Sequence, residues 1–213
     1  MTSSQFQRQV PSRETLDFWR RIEPVARHCI LAERYFNLIR SGSGQFWSFT
    51  HNALGEQACL LWCHLFGNRG DDLYYAKFFS LCDVTAMGHE FTESTVKSRL
   101  LSRIEMNEVE YRCFWDEVRK CRDKYIAHRD DEKVYFPYID KCREMAEELR
   151  VILKEVFEAW LRNDPSNADL QYYRDHYREF SNQRLAERCQ QNFEFHVPRM
   201  AKKILTAKAD NQD

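Results

Sequence analysis

The chain of 213 residues lacks a long apolar run. No window approaches the roughly 18–20 apolar residues that a helix needs to span a bilayer. The opening residues, MTSSQFQRQVPSRE, also lack the apolar core of a secretory signal. We therefore expect a soluble, cytoplasmic protein with no membrane partner.

An excess of charge of either sign is absent as well. Lysine and arginine total 32 and aspartate and glutamate total 33, so the formal net charge is −1. This balance excludes a chain-wide basic field of the kind that binds nucleic acid nonspecifically, and it excludes an acidic solvating tail. Any site for a polyanion must therefore be local.

Several catalytic signatures are missing. The chain contains no GxSxG elbow, no GxxxxGK[ST] phosphate loop and no GxGxxG loop, which disfavours serine or cysteine hydrolases and nucleotide-driven catalysis. Cys59, Cys63 and His64 lie within about one helical turn, but the chain offers no second CxxC or HxxxH pair to complete a zinc site. We expect no metal and no cofactor, and we expect the eight cysteines to be free thiols that fill core positions.

Alternating polar and apolar residues, internal repeats and low-complexity tracts are also absent, so nothing predicts a β-strand. Apolar residues instead recur at three- and four-residue steps, which predicts an all-α fold with amphipathic helices. We expect a helical domain over 12–162, and a C-terminal helical extension with a basic tail over 163–213. The predicted helices cover about 11–40, 46–66, 73–82, 95–104, 107–127, 137–161 and 167–191.

The stretch Arg122–Asp130, RDKYIAHRD, carries the densest chemistry in the chain. It ends the predicted helix 107–127, where Arg122 shares an apolar face with Val118 and Tyr125. A guanidinium is rarely buried without a partner, so Arg122 either pairs with an acid or binds an anionic ligand. The spacing also predicts helical i,i+4 ion pairs, among them Arg119 with Asp123.

His128 follows Arg122 by six positions. Six steps of about 100° total roughly 600°, so in an unbroken helix the two side chains diverge by about 120°. They meet at one site only if the helix ends near Ala127, or if a second subunit supplies the complementary residue.

An arginine and a histidine facing one cavity suffice to cleave RNA without a metal. His128 can serve as general base for a 2′-hydroxyl or as general acid for the leaving 5′-oxygen, because its ordinary pKa lies near neutrality. Arg122 can bind the scissile phosphate, and Asp123 can orient either residue. A local positive patch for RNA binding consists of Arg119, Lys120, Lys124 and Arg129.

A purely structural interpretation stays open beside the catalytic one. An arginine and a histidine near a helix end are common, so Arg122 can simply form a salt bridge to a neighbouring acid while His128 caps the helix. Spacing alone favours the structural interpretation.

The same stretch resembles the signature of the HEPN superfamily, in which an Arg, four to six residues and a His end a helix. Five residues separate Arg122 from His128 here, and a polar residue, Asp123, follows the arginine as in the family. Upstream, ALGEQACLLWCHLFGNRGDD (53–72) and YYAKFF (74–79) are similar to the abortive-infection (AbiU-like) branch. The resemblance covers about residues 15–160.

This resemblance implies a helical bundle of the HEPN type and a metal-independent endoribonuclease that acts as a toxin or an antiviral, phage-defence effector. It further implies an RNA substrate, a homodimer with a composite active site, and an antitoxin or regulatory protein as partner. HEPN toxins are often silenced by modification of a tyrosine near the motif, for which Tyr125, Tyr135 and Tyr138 are candidates. The alternative is a catalytically silent, dimeric HEPN-like binding or scaffold module.

Overall fold

Every regular element in the described part of the chain is a helix, which confirms the all-α prediction there. The structure is a computed structural model. It describes residues 11–40, 44–82, 91–126, 136, 138–179 and 181–192, without the side chains of 124–126 and 175–179. None of the described helices is long and apolar enough to cross a membrane.

Eight α-helices and two short π-helical segments follow one another in the described residues. The helices are α1 (Arg13–Leu38), α2 (Gln45–Trp62), α3 (Tyr75–Leu81), α4 (Glu93–Arg103), α5 (Glu108–Lys120), α6 (Ile139–Asn163), α7 (Ala168–Glu179) and α8 (182–192). The first π-helical segment, Cys63–Gly67, extends α2, and the second, Cys121–Ile126, extends α5.

Local capping chemistry sets where several helices begin. The Ser12 hydroxyl accepts a hydrogen bond from the backbone N–H of Thr15 at the start of α1, and Thr92 does the same for Thr95 at the start of α4. Asn107 and Glu110 form a reciprocal capping box at the start of α5. Because such caps satisfy N–H groups that have no partner within the helix, they can be recognised from short-range sequence patterns.

The core lies where α1, α2 and α6 pack against one another, with α4 against α6 and the second π-helical segment against α2. Trp62, Phe66, Phe114 and Phe157 are almost completely buried in it. The Trp62 indole N–H points at the Met145 sulfur, 3.4 Å away. Since each aromatic side chain removes a large apolar area from water, this cluster contributes the main hydrophobic stabilisation.

Buried ion pairs tie α1 to α6 along their length. Glu23 and Arg150 are both nearly inaccessible to solvent, and Arg150 Nη2 lies 2.7 Å from Glu23 Oε1. Further along, Arg143 Nε binds Glu33 at 3.0 Å. Such pairs need closely matched geometry because each charge loses its hydration on burial. Apolar periodicity predicts the two helices but gives no sign of this polar contact between them.

The C-terminal residues pack on the same core. Leu170 of α7 is fully buried within it, and Asn182 of α8 accepts a hydrogen bond from Arg150. Asn192 at the end of α8 donates to the Tyr35 hydroxyl of α1. The domain boundary near residue 163 stays a prediction, but the extension contacts the first domain through both helices.

Two predicted helices differ from the structure. The expected helix 107–127 leaves α-geometry at Cys121, and the expected single helix 167–191 is wrong because α7 and α8 are separated at Ser181. The predicted helix 11–40 is present as α1, which continues undivided through Pro24. The predicted helix start at Pro137 lies outside the described residues, and α6 begins at Ile139.

Gly55 marks a close approach between α2 and the chain that follows the Arg122–Asp130 stretch. A Cβ at position 55 would lie 2.8 Å from the ring of Phe136. We expect Gly55→Ala to lower the free energy of unfolding by about 1–3 kcal/mol, because overpacking outweighs the helix-propensity gain of about 1 kcal/mol. Urea unfolding of G55A and of G55A with Phe136→Leu measures this. An equal loss of unfolding free energy in both variants would contradict a clash between the added methyl group and the Phe136 ring.

Candidate functional site

Arg122 lies in a π-helical segment instead of the α-helix that the apolar pattern predicts. The backbone N–H of Cys121 is shared between the carbonyls of Glu117 and Val118, and π-geometry continues to Ile126. A π-helical turn holds one residue more than an α-helical turn, is rare, and is often found at functional sites. The widened turn changes which side chains lie above one another after position 120.

The Arg122 guanidinium pairs with the carboxylate of the next residue. Its Nε and Nη2 atoms lie 2.7 and 2.6 Å from Asp123 Oδ1. The Arg122 side chain keeps 24% of its surface exposed and Asp123 keeps 56%. Arg122 is therefore half-buried but open to solvent on one side, and it does not take part in the buried ion pairs of α1 and α6.

The surroundings keep Arg122 positively charged. Partial burial acts to lower the pKa of its guanidinium, but the hydrogen bond to Asp123 and the nearby Cys63 and Asp71 act in the opposite direction, and the net shift of the pKa is upward. A cation of this kind can bind a phosphate oxygen without any change of protonation.

Arg119 does not form the ion pair with Asp123 that the i,i+4 spacing predicts. Its guanidinium carbon lies 4.3 Å from the centre of the Trp115 ring, and the Trp115 indole N–H donates to the Phe66 carbonyl at 3.1 Å. The π-helical turn explains the difference, because it moves Asp123 out of the i,i+4 position and beside Arg122. Arg119 Nε is buried and has no hydrogen-bond partner among the described residues.

The structure brings together only part of the predicted site. Arg119, Arg122 and Asp123 lie on neighbouring turns, and Lys120 is exposed beside them. The backbone of Lys124 and Tyr125 belongs to the second π-helical segment. The side chains of those two residues, together with His128, Arg129 and Tyr135, lie outside what the structure describes. The meeting of Arg122 with His128 therefore stays a prediction.

Of the tyrosines proposed for modification, only Tyr138 has a described side chain. It is about half exposed, and its backbone is left-handed with φ of 44°, immediately before α6. The described geometry does not connect it to Arg122.

Two neighbours of Arg122 were not recognised from the sequence as parts of the site. Cys63 begins the first π-helical segment, and Asp71 lies in the turn that follows it; both act to raise the pKa of Arg122. The Gly67–Asp72 turn is visible in the sequence, but nothing local indicates that it folds back toward residue 122. Contact between segments about 50 positions apart requires the tertiary fold.

A cluster of thiols underlies the second π-helical segment. Cys121 and Cys59 share a hydrogen bond, which together with burial raises the pKa of Cys121. Cys142 is completely buried, which raises its pKa as well. No group of three or more His, Cys, Asp or Glu side chains in the described residues could hold a metal ion. Cys63 is buried and His64 is exposed, so these neighbours do not converge.

The thiols are expected to differ sharply in reactivity. Seven cysteines are buried as predicted, but Cys113 is exposed. Because alkylation requires an accessible thiolate, iodoacetamide at pH 8 is expected to label Cys113 at least about tenfold faster than Cys59, Cys121 or Cys142 in the native protein. Mass spectrometry of quenched time points measures this. Uniform labelling of all sites without denaturant would contradict the buried cluster.

Comparisons with known proteins add no relative to this description. Searches against protein-family models, curated proteins and solved structures found no significant match. The HEPN resemblance therefore rests on the residues of the Arg122–Asp130 stretch and of the upstream segments 53–72 and 74–79. What the geometry contributes is a partly exposed, permanently charged arginine, on a rare helical turn, beside a second arginine and an aromatic ring.

Proposed function

We propose that this chain is a metal-independent endoribonuclease of the HEPN type. The observation that carries the proposal is the placement of Arg122: it is half-buried, open to solvent on one side, and paired only with its exposed neighbour Asp123 among the residues that the structure describes. An arginine retained for packing would be expected among the buried acids of the core, as Arg150 is. An arginine that binds phosphate must remain reachable, and Arg122 does.

The reaction needs no group beyond the RNA and the protein. His128 takes the proton from a ribose 2′-hydroxyl, and the 2′-oxygen attacks the adjacent phosphorus. The new P–O2′ bond forms as the P–O5′ bond breaks, which leaves a 2′,3′-cyclic phosphate and a 5′-hydroxyl. The leaving 5′-oxygen receives a proton from a general acid, His128 itself or its counterpart in a second copy. Arg122 stabilises the negative charge that develops on the phosphate oxygens.

In this proposal Asp123 positions Arg122. Asp123 Oδ1 accepts a hydrogen bond from Arg122 Nε–H and lies 2.6 Å from Nη2, which holds one edge of the guanidinium. In this proposal the opposite edge donates to the substrate. A homodimer in which two Arg122–Asp130 stretches face one cleft would resolve the angular separation of Arg122 and His128. The biological role that accompanies such an enzyme is that of a toxin or phage-defence effector, restrained by an antitoxin or regulatory partner.

The alternative function is a catalytically silent, dimeric HEPN-like binding module. One observation favours it: Asp123 already engages the Arg122 guanidinium at 2.6 Å, as a structural ion pair would. In that case the pair would survive RNA addition, and removal of His128 would change nothing.

The deciding experiment is incubation of the purified protein with mixed cellular RNA in EDTA. We expect cleavage products that end in 2′,3′-cyclic phosphate, detected by their resistance to 3′-end ligation until the cyclic phosphate is opened and the resulting phosphate is removed. The same RNA with 2′-O-methyl groups is the matched control and should remain intact, because its nucleophile is blocked. Absence of cleavage, or products with 3′-hydroxyl ends, would reject the proposal.

A further inference from the structure

A groove of about 680 Å³ lies between the first π-helical segment, α3, α4 and α5. Aromatic residues form much of its surface: Tyr75 is buried, whereas Tyr74, Tyr111 and Trp115 are partly exposed. The Tyr74 and Tyr75 rings lie 4.9 Å apart, centre to centre. The volume is in the range of small-ligand sites, which are typically about 300–1,000 Å³.

Positive charge exceeds negative charge around this groove. Two of its basic residues are engaged in ion pairs across the rim, Arg69 with Glu93 at 3.0 Å and Lys97 with Glu108 at 2.7 Å. Arg112, which also lines the groove, is exposed and forms no ion pair or hydrogen bond with the residues that the structure describes. One cation therefore remains uncompensated beside the aromatic surface.

The groove continues into the Arg122 site along a single helical ridge. Arg112, Trp115 and Arg119 succeed one another at steps of three and four residues, which places them on one face of α5, and Arg122 lies on the next turn, in the second π-helical segment. Ten residues at about 1.5 Å each give a path of about 15 Å. At about 3.4 Å per stacked nucleotide, that path accommodates about four nucleotides.

The turn Gly67–Asp72 connects the same two places from the other side. Gly67, Asn68 and Arg69 line the groove, and the Asp71 carboxylate acts to raise the pKa of Arg122. Trp115 also joins them: its indole N–H is fixed on the Phe66 carbonyl while Arg119 covers its ring. The groove and the Arg122 site are thus adjacent parts of one surface.

We propose that this groove binds the bases of single-stranded RNA next to the phosphate held by Arg122. The alternation of aromatic rings with arginines matches the requirements of a single strand, whose bases stack on side chains while its backbone follows positive charge. The inference rests on the proposed ribonuclease function and assigns it a substrate form, an unpaired strand. Tyr74 would stack a base, and Arg112 would bind a backbone phosphate.

The test uses a fluorescein-labelled decamer of random sequence, fully 2′-O-methylated so that it cannot be cleaved by attack of a 2′-hydroxyl. Anisotropy titrations compare the full-length wild type with Arg112→Gln, Tyr74→Leu and the matched control Arg13→Gln. Arg13 is 96% exposed at the start of α1 and does not line the groove. Circular dichroism of each variant verifies that it is folded. If Tyr74→Leu is not folded, the comparison of Arg112→Gln with Arg13→Gln alone decides the test.

We expect the dissociation constant to rise about fivefold in Arg112→Gln and about tenfold in Tyr74→Leu, and to stay unchanged in Arg13→Gln. Loss of one phosphate contact should also reduce the slope of log K against log salt by about 0.7 in Arg112→Gln, an effect that a merely structural residue would not produce. No binding by the wild type, or equal binding by Arg112→Gln and Arg13→Gln, would overturn the inference.

The two proposals fail separately. If the decamer binds with these variant effects but unmodified RNA is not cut, the groove is supported as a binding site for single-stranded RNA and the ribonuclease proposal is rejected. If unmodified RNA is cut equally by the wild type and both groove variants, the ribonuclease proposal is supported and the groove is not its substrate site.

Discussion

Arg122→Ala is expected to lower the rate of RNA cleavage in EDTA by at least about a hundredfold. Removal of one group that stabilises the transition-state charge commonly costs a factor of about 10²–10³. Arg122 is open to solvent on one side and contacts its exposed neighbour Asp123, so its loss should leave the core intact. Single-turnover assays on a defined RNA, with circular dichroism of the variant, measure the two effects separately.

Two further variants make this prediction specific. Arg122→Lys keeps the charge but loses the planar fork that binds two oxygens together, so we expect an intermediate rate. His128→Ala should lose activity as severely as Arg122→Ala, whereas Arg13→Ala should retain it. If all preparations cleave RNA equally, the activity does not belong to this site. Full activity in His128→Ala alone would contradict the role of His128 as general acid or base.

Arg150→Met is expected to lower the free energy of unfolding by about 3–5 kcal/mol, the typical cost of removing one partner from a buried ion pair. Arg150 Nε and Nη2 lie 3.0 and 2.7 Å from Glu23 Oε1, and its Nη1 donates to Asn182. The substitution leaves the Glu23 carboxylate buried without its cation and removes one of the hydrogen bonds that connect α8 to the rest of the fold. Urea unfolding followed by circular dichroism measures the loss.

A matched exposed pair provides the control. Lys154 and Glu158 also lie on α6, at 3.5 Å, with about half of each side chain exposed. Exposed pairs contribute little, so Lys154→Met should cost less than about 1 kcal/mol. The double variant Glu23→Leu with Arg150→Met should recover part of the stability, since no unpaired charge remains. An equal loss of unfolding free energy in Arg150→Met and Lys154→Met would contradict the prediction that the buried pair contributes more stability than the exposed pair.

The sequence by itself determined the helical class and most helix starts. Apolar residues at three- and four-residue steps are a local property, as are the caps at Thr92 and Asn107, and these features depend on little beyond the neighbouring residues. The sequence also singled out Arg122, because a charged residue on an apolar stripe requires a partner or a ligand. The ribonuclease chemistry attached to it comes from the resemblance and stays a proposal.

The partners of these residues were decided by the tertiary structure. The π-helical turn at Cys121 forms where that segment packs against α2, and it replaces the predicted Arg119–Asp123 pair with the contact between Arg122 and Asp123. The Glu23–Arg150 pair and the aromatic groove each join segments distant in the chain. Helical periodicity identifies which face of a helix is buried, but it carries no information about which other helix covers that face, and the site depends on that choice.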